Sequence, residues 1–590
     1  MQLWPYDRTR MSRLRLLAPL ACIALLALPA AVAAHPGARA AQAAPLNDLF
    51  ALGQGSGQAV TRVPVVTRPE PPSAPTPQVP CEPGSRPEPG VQGRVPAGAA
   101  ENGLWCNARL LGRHGASGGF KVLRYRDRAG RECAYYDTAL LFPLNVFKAS
   151  ATSLGVVVLD MTDPAHPVQT DRLTELPMLS PHESVTLNQE RGLIAAVLGN
   201  PATYPGLVSI YDASQDCRHP VLQSTAPVAR LGHESGFSPD GRTFYAAATA
   251  TESITAIDVT DPKAPRPIWQ GQVTSHGMSL NDDGTRAYIA DPDGQMLVLD
   301  TSEIQARKAQ PKAREISRLT WDKASIPQNA IPFTRDGKPY VLEIDEYTGG
   351  TTGDGDRDAV GAARIIDISD ETKPRSIANL RLQVNQPAEH RAASGDPGAF
   401  SPVQGYAAHY CGLSSRVDPT VVACSFIASG LRVFDISDLA HPREIAYFVA
   451  PTKGRAENGF QVSSFAMSQP EVVPERKEVW YSDGTAGFHA LRIADGVWPA
   501  AAQRVRRVCG SRRRFAAHVR LPRGARIRSV RATLGGRRVR GARRSGRSVR
   551  VPVDLRGRGK GVVVLRVRVT LRGGRTVTTV RRYRVCTSRS

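Results

Sequence analysis

Aromatic residues make up only 6% of this 590-residue chain, which argues against an aromatic-rich barrel. No Cys-x-x-Cys pair occurs, so zinc ribbons and thioredoxin-like redox sites have no support. A phosphate-binding glycine loop and the His-Glu-x-x-His of metalloprotease helices are missing too, leaving no positive sign of catalysis. Helical 3.6-residue periodicity is nearly absent. Acids almost vanish from the end of the chain: residues 501–590 hold 29 Arg and Lys against Asp554 alone, a charge of +28. The net charge is +23, so the first 500 residues sum to 23 − 28 = −5. A mildly acidic body precedes a strongly basic tail, and each needs its own explanation.

Residues 1–33 read as a secretory signal peptide. Arg8, Arg10, Arg13 and Arg15 precede an apolar run from Leu16 to Val32, which ends at Ala31-Val32-Ala33. Pro19 and Pro29 interrupt that run and no stop-transfer flank follows, so it is a poor membrane span. No second long apolar run exists, and the mature chain is expected to be secreted, extracellular or associated with the cell surface. Residues 34–104 are expected to be a disordered linker, because 11 Pro fall within residues 61–100. Setting Cys22 aside leaves eight cysteines, an even number that suits disulfides in an exported chain. Cys411 and Cys424 flank an apparent hairpin and Cys509 and Cys586 bracket the basic tail, so these two pairs are expected. Cys81, Cys106, Cys133 and Cys217 leave three connectivities open.

Residues 105–500 repeat one pattern: three or four apolar residues, Asp, an apolar residue, Ser or Thr, then a turn closing with Pro. Copies centre on Asp160, Asp212, Asp258, Asp300, Asp367 and Asp435, at spacings of 52, 46, 42, 67 and 68 residues. A degenerate seventh spans Phe488–Ile493. Turn tetrads such as Ser238-Pro239-Asp240-Gly241 lie upstream and imply hairpins. Four strands per repeat and seven repeats predict an all-β, seven-bladed β-propeller, with Asn107–His114 supplying the strand that the last repeat lacks. The corner carboxylates are expected to cap the backbone N–H groups of the following turn.

The apolar-Asp-apolar-Ser/Thr-Asp-Pro repeat resembles the LVIVD repeat family of secreted bacterial β-propellers over about 390 residues. Its clearest copies are at Asp160, Asp258, Asp367 and Asp435; those at Asp212 and Asp300 lose the Asp-Pro corner. The resemblance implies a fold and export, and no catalytic residue.

His182, His233, His276 and His409 each begin the first strand of their repeat, with Gln328 and Ser464 at the equivalent places elsewhere. A blade's first strand lines the channel, so these four imidazoles are expected in a ring at its mouth. There, with Glu183 and Glu234 adjacent, they can hold a transition metal. The same equivalence also serves plain packing between blades. Asp354, Asp356 and Asp358 resemble the start of a calcium loop, but Ala359 and Ile365 stand where an EF-hand has Gly and Glu, so binding would be weak.

Residues 504–590 alternate with period two and resemble, in architecture alone, a small Ig-like β-sandwich. In Leu565–Arg572 the apolar residues share one face and Arg566, Arg568 and Arg572 the other, a face suited to an anionic cell-wall polymer or another polyanion. Only Phe515 and Tyr583 could stack on bases, which argues against nucleic acid. Two functions compete. One is a secreted, non-catalytic binding scaffold that takes a protein or small ligand on its propeller and is retained at the surface by its tail. The other is a metal-dependent, oxidase- or hydrolase-like enzyme working at the His-lined mouth.

Overall fold

The computed structural model describes residues 57–138, 154–198, 206–321, 325–349, 356–400, 405–453, 463–500, 514–521, 526–545, 548–556, 561–572 and 576–585. The signal-peptide segment 1–33 and the Cys509–Cys586 pair lie outside them. No described helix is long and apolar enough to cross a membrane. The chain divides into two compact units, a body (Met1–Pro499) and a tail (Ala500–Ser590).

The body is a succession of four-stranded antiparallel sheets, one per sequence repeat. Repeat 1 comprises Val122–Arg126, Glu132–Asp137, Val156–Asp160 and Val168–Leu173. Repeats 2 to 6 begin at Thr186, Ser235, Gly277, Ile326 and Tyr410. Repeat 7 supplies Glu471–Val473, Glu478–Asp483 and Gly487–Ile493, and its fourth strand is Ala108–His114 from the N-terminal side. The expected closing strand is therefore in place, running from Ile493↔Ala108 to Phe488↔His114. In every repeat the pairing of third and fourth strands shifts register near the third strand's end, for example between Val158 and Leu159 and between Ala490 and Leu491. That shared bulge marks the seventh repeat as a true copy, although Arg492 stands where the others carry Asp.

Runs such as Val156-Val157-Val158-Leu159 are apolar on both faces because each sheet is covered on both sides. Val156 and Val158 pack with Ile194 and Ala196 of repeat 2, while Val157 and Leu159 pack with Trp480 and Phe488 of repeat 7. The last sheet thus packs against the first, and the array closes on itself.

The linker expectation is corrected for residues 57–104. This segment is an ordered strap along the outer strands of successive repeats. Gln58–Ala59 pair in parallel with Arg266–Gln272 of repeat 3, and Val65–Thr67 with Arg314–Thr320 of repeat 4. Thr76 N–H donates to the Arg381 carbonyl of repeat 5 (2.8 Å), and Val79 N–H to Glu444 of repeat 6 (2.9 Å). Leu104–Cys106 then pair with the outer strand of repeat 6. Proline is tolerated because an edge strand needs only some of the strap's donors, and the strap covers edges that would otherwise be open.

Cys411–Cys424 is formed as expected, between directly opposed residues of a hairpin with Cα atoms 4.0 Å apart. The open connectivity resolves to Cys81–Cys106, which ties the strap down, and Cys133–Cys217, which joins repeats 1 and 2. Asp354 lies outside the described residues. Asp356 and Asp358 fall in the strand Asp356–Val360, whose backbone pairs with Thr348–Gly349.

The tail holds two antiparallel sheets, one built on Arg514–Arg520 and Ser548–Asp554, the other on Ile527–Leu534, Gly561–Leu571 and Thr576–Val585. Val549, Val551 and Val553 of one meet Leu565, Val567 and Val569 of the other in a single core, a two-sheet sandwich.

Candidate functional site at the inner ring

The first strands of neighbouring repeats abut around the inside of the body, and backbone bridges such as Glu183↔Glu234 join them. Three of the four ring histidines are set by one repeated bond to the end of their second strand. His233 N–H donates to Ala247, His276 to Ala290 and His409 to Ser425, at 2.8–2.9 Å. His182 reaches its place through a turn with φ of 51°, uncommon for a residue with a side chain. His182 and His233 lie edge to face with centroids 4.4 Å apart, and His233 and His276 lie tilted at 47° with centroids 4.7 Å apart. Phe120 of repeat 1 fills the gap, 4.8 Å from His182 and 5.4 Å from His409. The four expected histidines are therefore brought together. Ser464 is not among them; its hydroxyl donates to Asp483 (3.0 Å).

Two carboxylates thread this ring. Glu183 lies 3.2 Å from His233 Nε2 and 3.3 Å from His409 Nε2, and it accepts from Gln328 Nε2 (2.5 Å). Glu346, at the end of the strand Lys338–Glu346, lies 3.2 Å from His409 Nε2 and 3.4 Å from His276 Nε2. His182, Glu183 and His233 also bring one ligand atom each to within 4.8 Å of one another. His276 Nδ1 meets the Pro327 carbonyl (2.9 Å) and His409 Nδ1 the Met467 carbonyl (2.6 Å). A carbonyl only accepts, so both rings donate from Nδ1 and turn Nε2 toward the carboxylates.

Burial depresses His182 and His276 to about 3, with the neighbouring His233 pushing the same way. Burial also opposes charge on His409, but its hydrogen bonds to Glu183 and Glu346 outweigh that and push it up to about 9. Desolvation raises Glu346 to about 7 against the pull of His409, whereas the histidines hold Glu183 well below its ordinary value despite its burial.

Beside the ring sits a buried ion pair, Lys121 Nζ to Glu234 Oε1 at 2.7 Å, with Asn329 also donating to that oxygen. Desolvation pushes Glu234 up to about 7, although Lys121 opposes it. Lys121 caps the Tyr410 ring at 3.8 Å. Gly277 is required here, because a Cβ on it would fall 1.7 Å from Glu234 Oε2. A cavity of about 400 Å³ opens over this layer, lined by Lys121, Glu234, Asn329, Gln469 and Arg416. Sequence reasoning missed Lys121, Asn329 and Glu346. The one signal for Glu346 was the acid-rich end of an apolar strand, Glu343-Ile344-Asp345-Glu346.

Gly115-Ala116-Ser117-Gly118-Gly119 has the spacing of a nucleophile elbow, but a strand follows it where the elbow has a helix. The Ser117 hydroxyl donates to the Thr138 carbonyl (2.9 Å), so it is a turn. In the tail, Arg566, Arg568 and Arg572 are exposed as expected, while Leu565, Val567 and Val569 between them are buried.

Fold and site together define an all-β repeat protein with a buried imidazole–carboxylate cluster at its inner ring. No protein-family model and no curated protein matches the chain. Among solved structures it is similar to a protein from Lactobacillus plantarum, at 15% identity over 60% of this chain and 88% of that one, with a TM-score of 0.40. A functionally unknown protein from Desulfotomaculum acetoxidans aligns at 12% identity over 56% and 84% of the two chains, with a TM-score of 0.37. The WD40 repeats of RRP9 align at 10% identity over 68% and 98%, with a TM-score of 0.40. Likeness at this level assigns no activity.

Proposed function

We propose that the body is one closed seven-bladed β-propeller of the LVIVD repeat type, acting as a secreted, non-catalytic binding scaffold. In this reading the Ig-like tail retains it on an anionic cell-wall polymer. The observation that carries the reading is the split face of Gly561–Leu571. Leu565, Val567 and Val569 are buried, Arg566 and Arg568 between them and Arg572 just beyond are exposed, and Asp554 is the sole acid in the last 90 residues. Arginine suits the role because its fork bonds phosphate or carboxylate through two N–H groups at once.

The test is sedimentation of the full chain with a poly(glycerol phosphate) cell-wall polymer. Replacing Arg566, Arg568 and Arg572 together by Gln is expected to weaken binding at least tenfold, and cutting after Ala502 to abolish it. Added salt should weaken the intact chain progressively, as screening requires. Binding by the body alone at full strength, or binding indifferent to salt, overturns the reading. The second reading, a metal-dependent enzyme, is favoured by the imidazole–carboxylate cluster.

A further inference from the structure

We propose that the outer face of the tail's larger sheet recognises a polyol–phosphodiester chain, with Arg531 opposite Arg568 at its centre. The proposal rests on the retention reading and deepens it. It names the chemistry of the polymer and makes binding depend on a built arrangement, not on net charge alone.

Three observations carry it. The first is register. Ala532, Leu534, Leu565, Val567 and Val569 are buried in the core between the two sheets. Alternation therefore puts Arg531, Thr533, Arg566, Arg568 and Thr570 on the outer face. Arg531 stands directly across the ladder from Arg568, a placement that sets Cβ atoms about 4.5–5.5 Å apart. Arg566 lies two residues along the same strand, roughly 7 Å from Arg568. All three arginines are exposed.

The second is the missing counter-charge. Like charges in directly opposed positions repel. The body meets its strand arginines with acids: Asp258, Asp300, Asp367 and Asp435 face Arg266, Arg314, Arg375 and Arg443 across their ladders. Those four pairs close at 2.9–3.3 Å. In the tail the sole acid, Asp554, belongs to the other sheet and is taken by Arg556 (2.6 Å). The outer face thus holds three guanidiniums and no carboxylate, and only an anion from outside relieves their repulsion.

The third is what flanks the arginines. Ser529, Thr570 and Thr576 form one row across the sheet, and Thr578 stands beside Arg568 on the next strand. Short hydroxyls therefore border the long guanidinium arms. A chain that alternates phosphates with free hydroxyls matches this pattern. The two free oxygens of a phosphodiester diverge, so Arg531 and Arg568 can each take one. A carboxylate accepts close to its own plane and is filled by a single fork.

The test measures binding of the untagged full chain to poly(glycerol phosphate), to poly-γ-glutamate of matched charge and to oligo(dT). R531Q is expected to weaken binding to the first about tenfold, the worth of a charge-assisted bond. R531K keeps the charge but loses the fork, and is expected to weaken it about fivefold. R514Q removes an exposed charge on the other sheet, opposite Asp554, and should change binding less than about twofold. Poly-γ-glutamate lacks the phosphates and oligo(dT) the free hydroxyls, and each is expected to bind at least about fivefold more weakly. The proposal is overturned if R531Q and R514Q act equally, if R531K binds like wild type, or if either rival polymer binds as tightly. Any of these leaves the retention reading standing, whereas a wild-type chain that ignores poly(glycerol phosphate) overturns both.

Discussion

At the corner of each of the first six repeats, an Asp carboxylate oxygen accepts the N–H two residues further on. The distances are 2.8 Å for Asp160 to Thr162, 3.0 Å for Asp258 to Thr260, 2.9 Å for Asp367 to Ser369 and 2.8 Å for Asp435 to Ser437. The second Asp of the corner repeats the device, as in Asp261 to Lys263 (3.0 Å) and Asp438 to Ala440 (3.0 Å). Asp258→Ala is expected to destabilise the body by about 1 kcal/mol in denaturant melts, the worth of one such bond. Asp127 is a deeper case, buried and accepting from Arg131 Nε (2.7 Å) and from the N–H groups of Ala129, Arg131 and Cys217. Burial works against its charge, but these donors prevail and hold its carboxyl below the ordinary value. Because the folded state holds this proton less tightly than the unfolded chain, stability from Asp127 is complete above about pH 4 and lost as pH falls further. Asp127→Asn should lower the melting temperature at pH 7 and flatten the acid side of the melting-versus-pH curve; an unchanged acid limb would refute this. The corners were legible in the sequence because acceptor and donor sit two residues apart. Glu346 was not, since its partners are 70 and 63 positions away in the chain and no local period points to them.

Among the elements, the strap shows how composition can mislead. Eleven prolines within residues 61–100 suggested a free chain, yet the segment is anchored at chosen points. Arg432, fully buried, binds Glu88 of the strap (2.8 Å) and Glu444 of repeat 6 (3.1 Å), with its guanidinium 4.4 Å over the Tyr447 ring. Arg94 of the strap pairs with Asp396 (2.8 Å). Neither pairing could be read from sequence, because an isolated Glu between prolines looks like any solvated acid. Arg432→Ala removes the cation from two buried carboxylates and is expected to cost about 3–5 kcal/mol. Limited proteolysis reads the same contact: the strap of the wild-type chain should resist cleavage, and that of R432A should be cut first. Equal resistance in both would show that the strap is held by its backbone bonds and disulfide alone.

For the whole molecule, the topology was more legible than any single site. Six Asp corners, the degenerate seventh copy and the missing outer strand sufficed to place Asn107–His114 against the last repeat, where Ala108–His114 pair. Deleting residues 103–115 should expose the edge of Gly487–Ile493 and yield soluble oligomers or aggregate by light scattering. A monomeric variant with unchanged melting would refute the closure. That strand also carries a consequence for how the molecule is made. Synthesis delivers Ala108–His114 among the first residues and its partner, Gly487–Ile493, nearly 400 residues later. Until then the nascent body is an open arc with two raw ends, and the strap has only part of the rim to lie on. Loop closure over such a span is slow and comes late. The early strand must therefore wait unpaired through most of translation, and a ribosome that stalls before residue 487 releases an arc that nothing in the chain can seal.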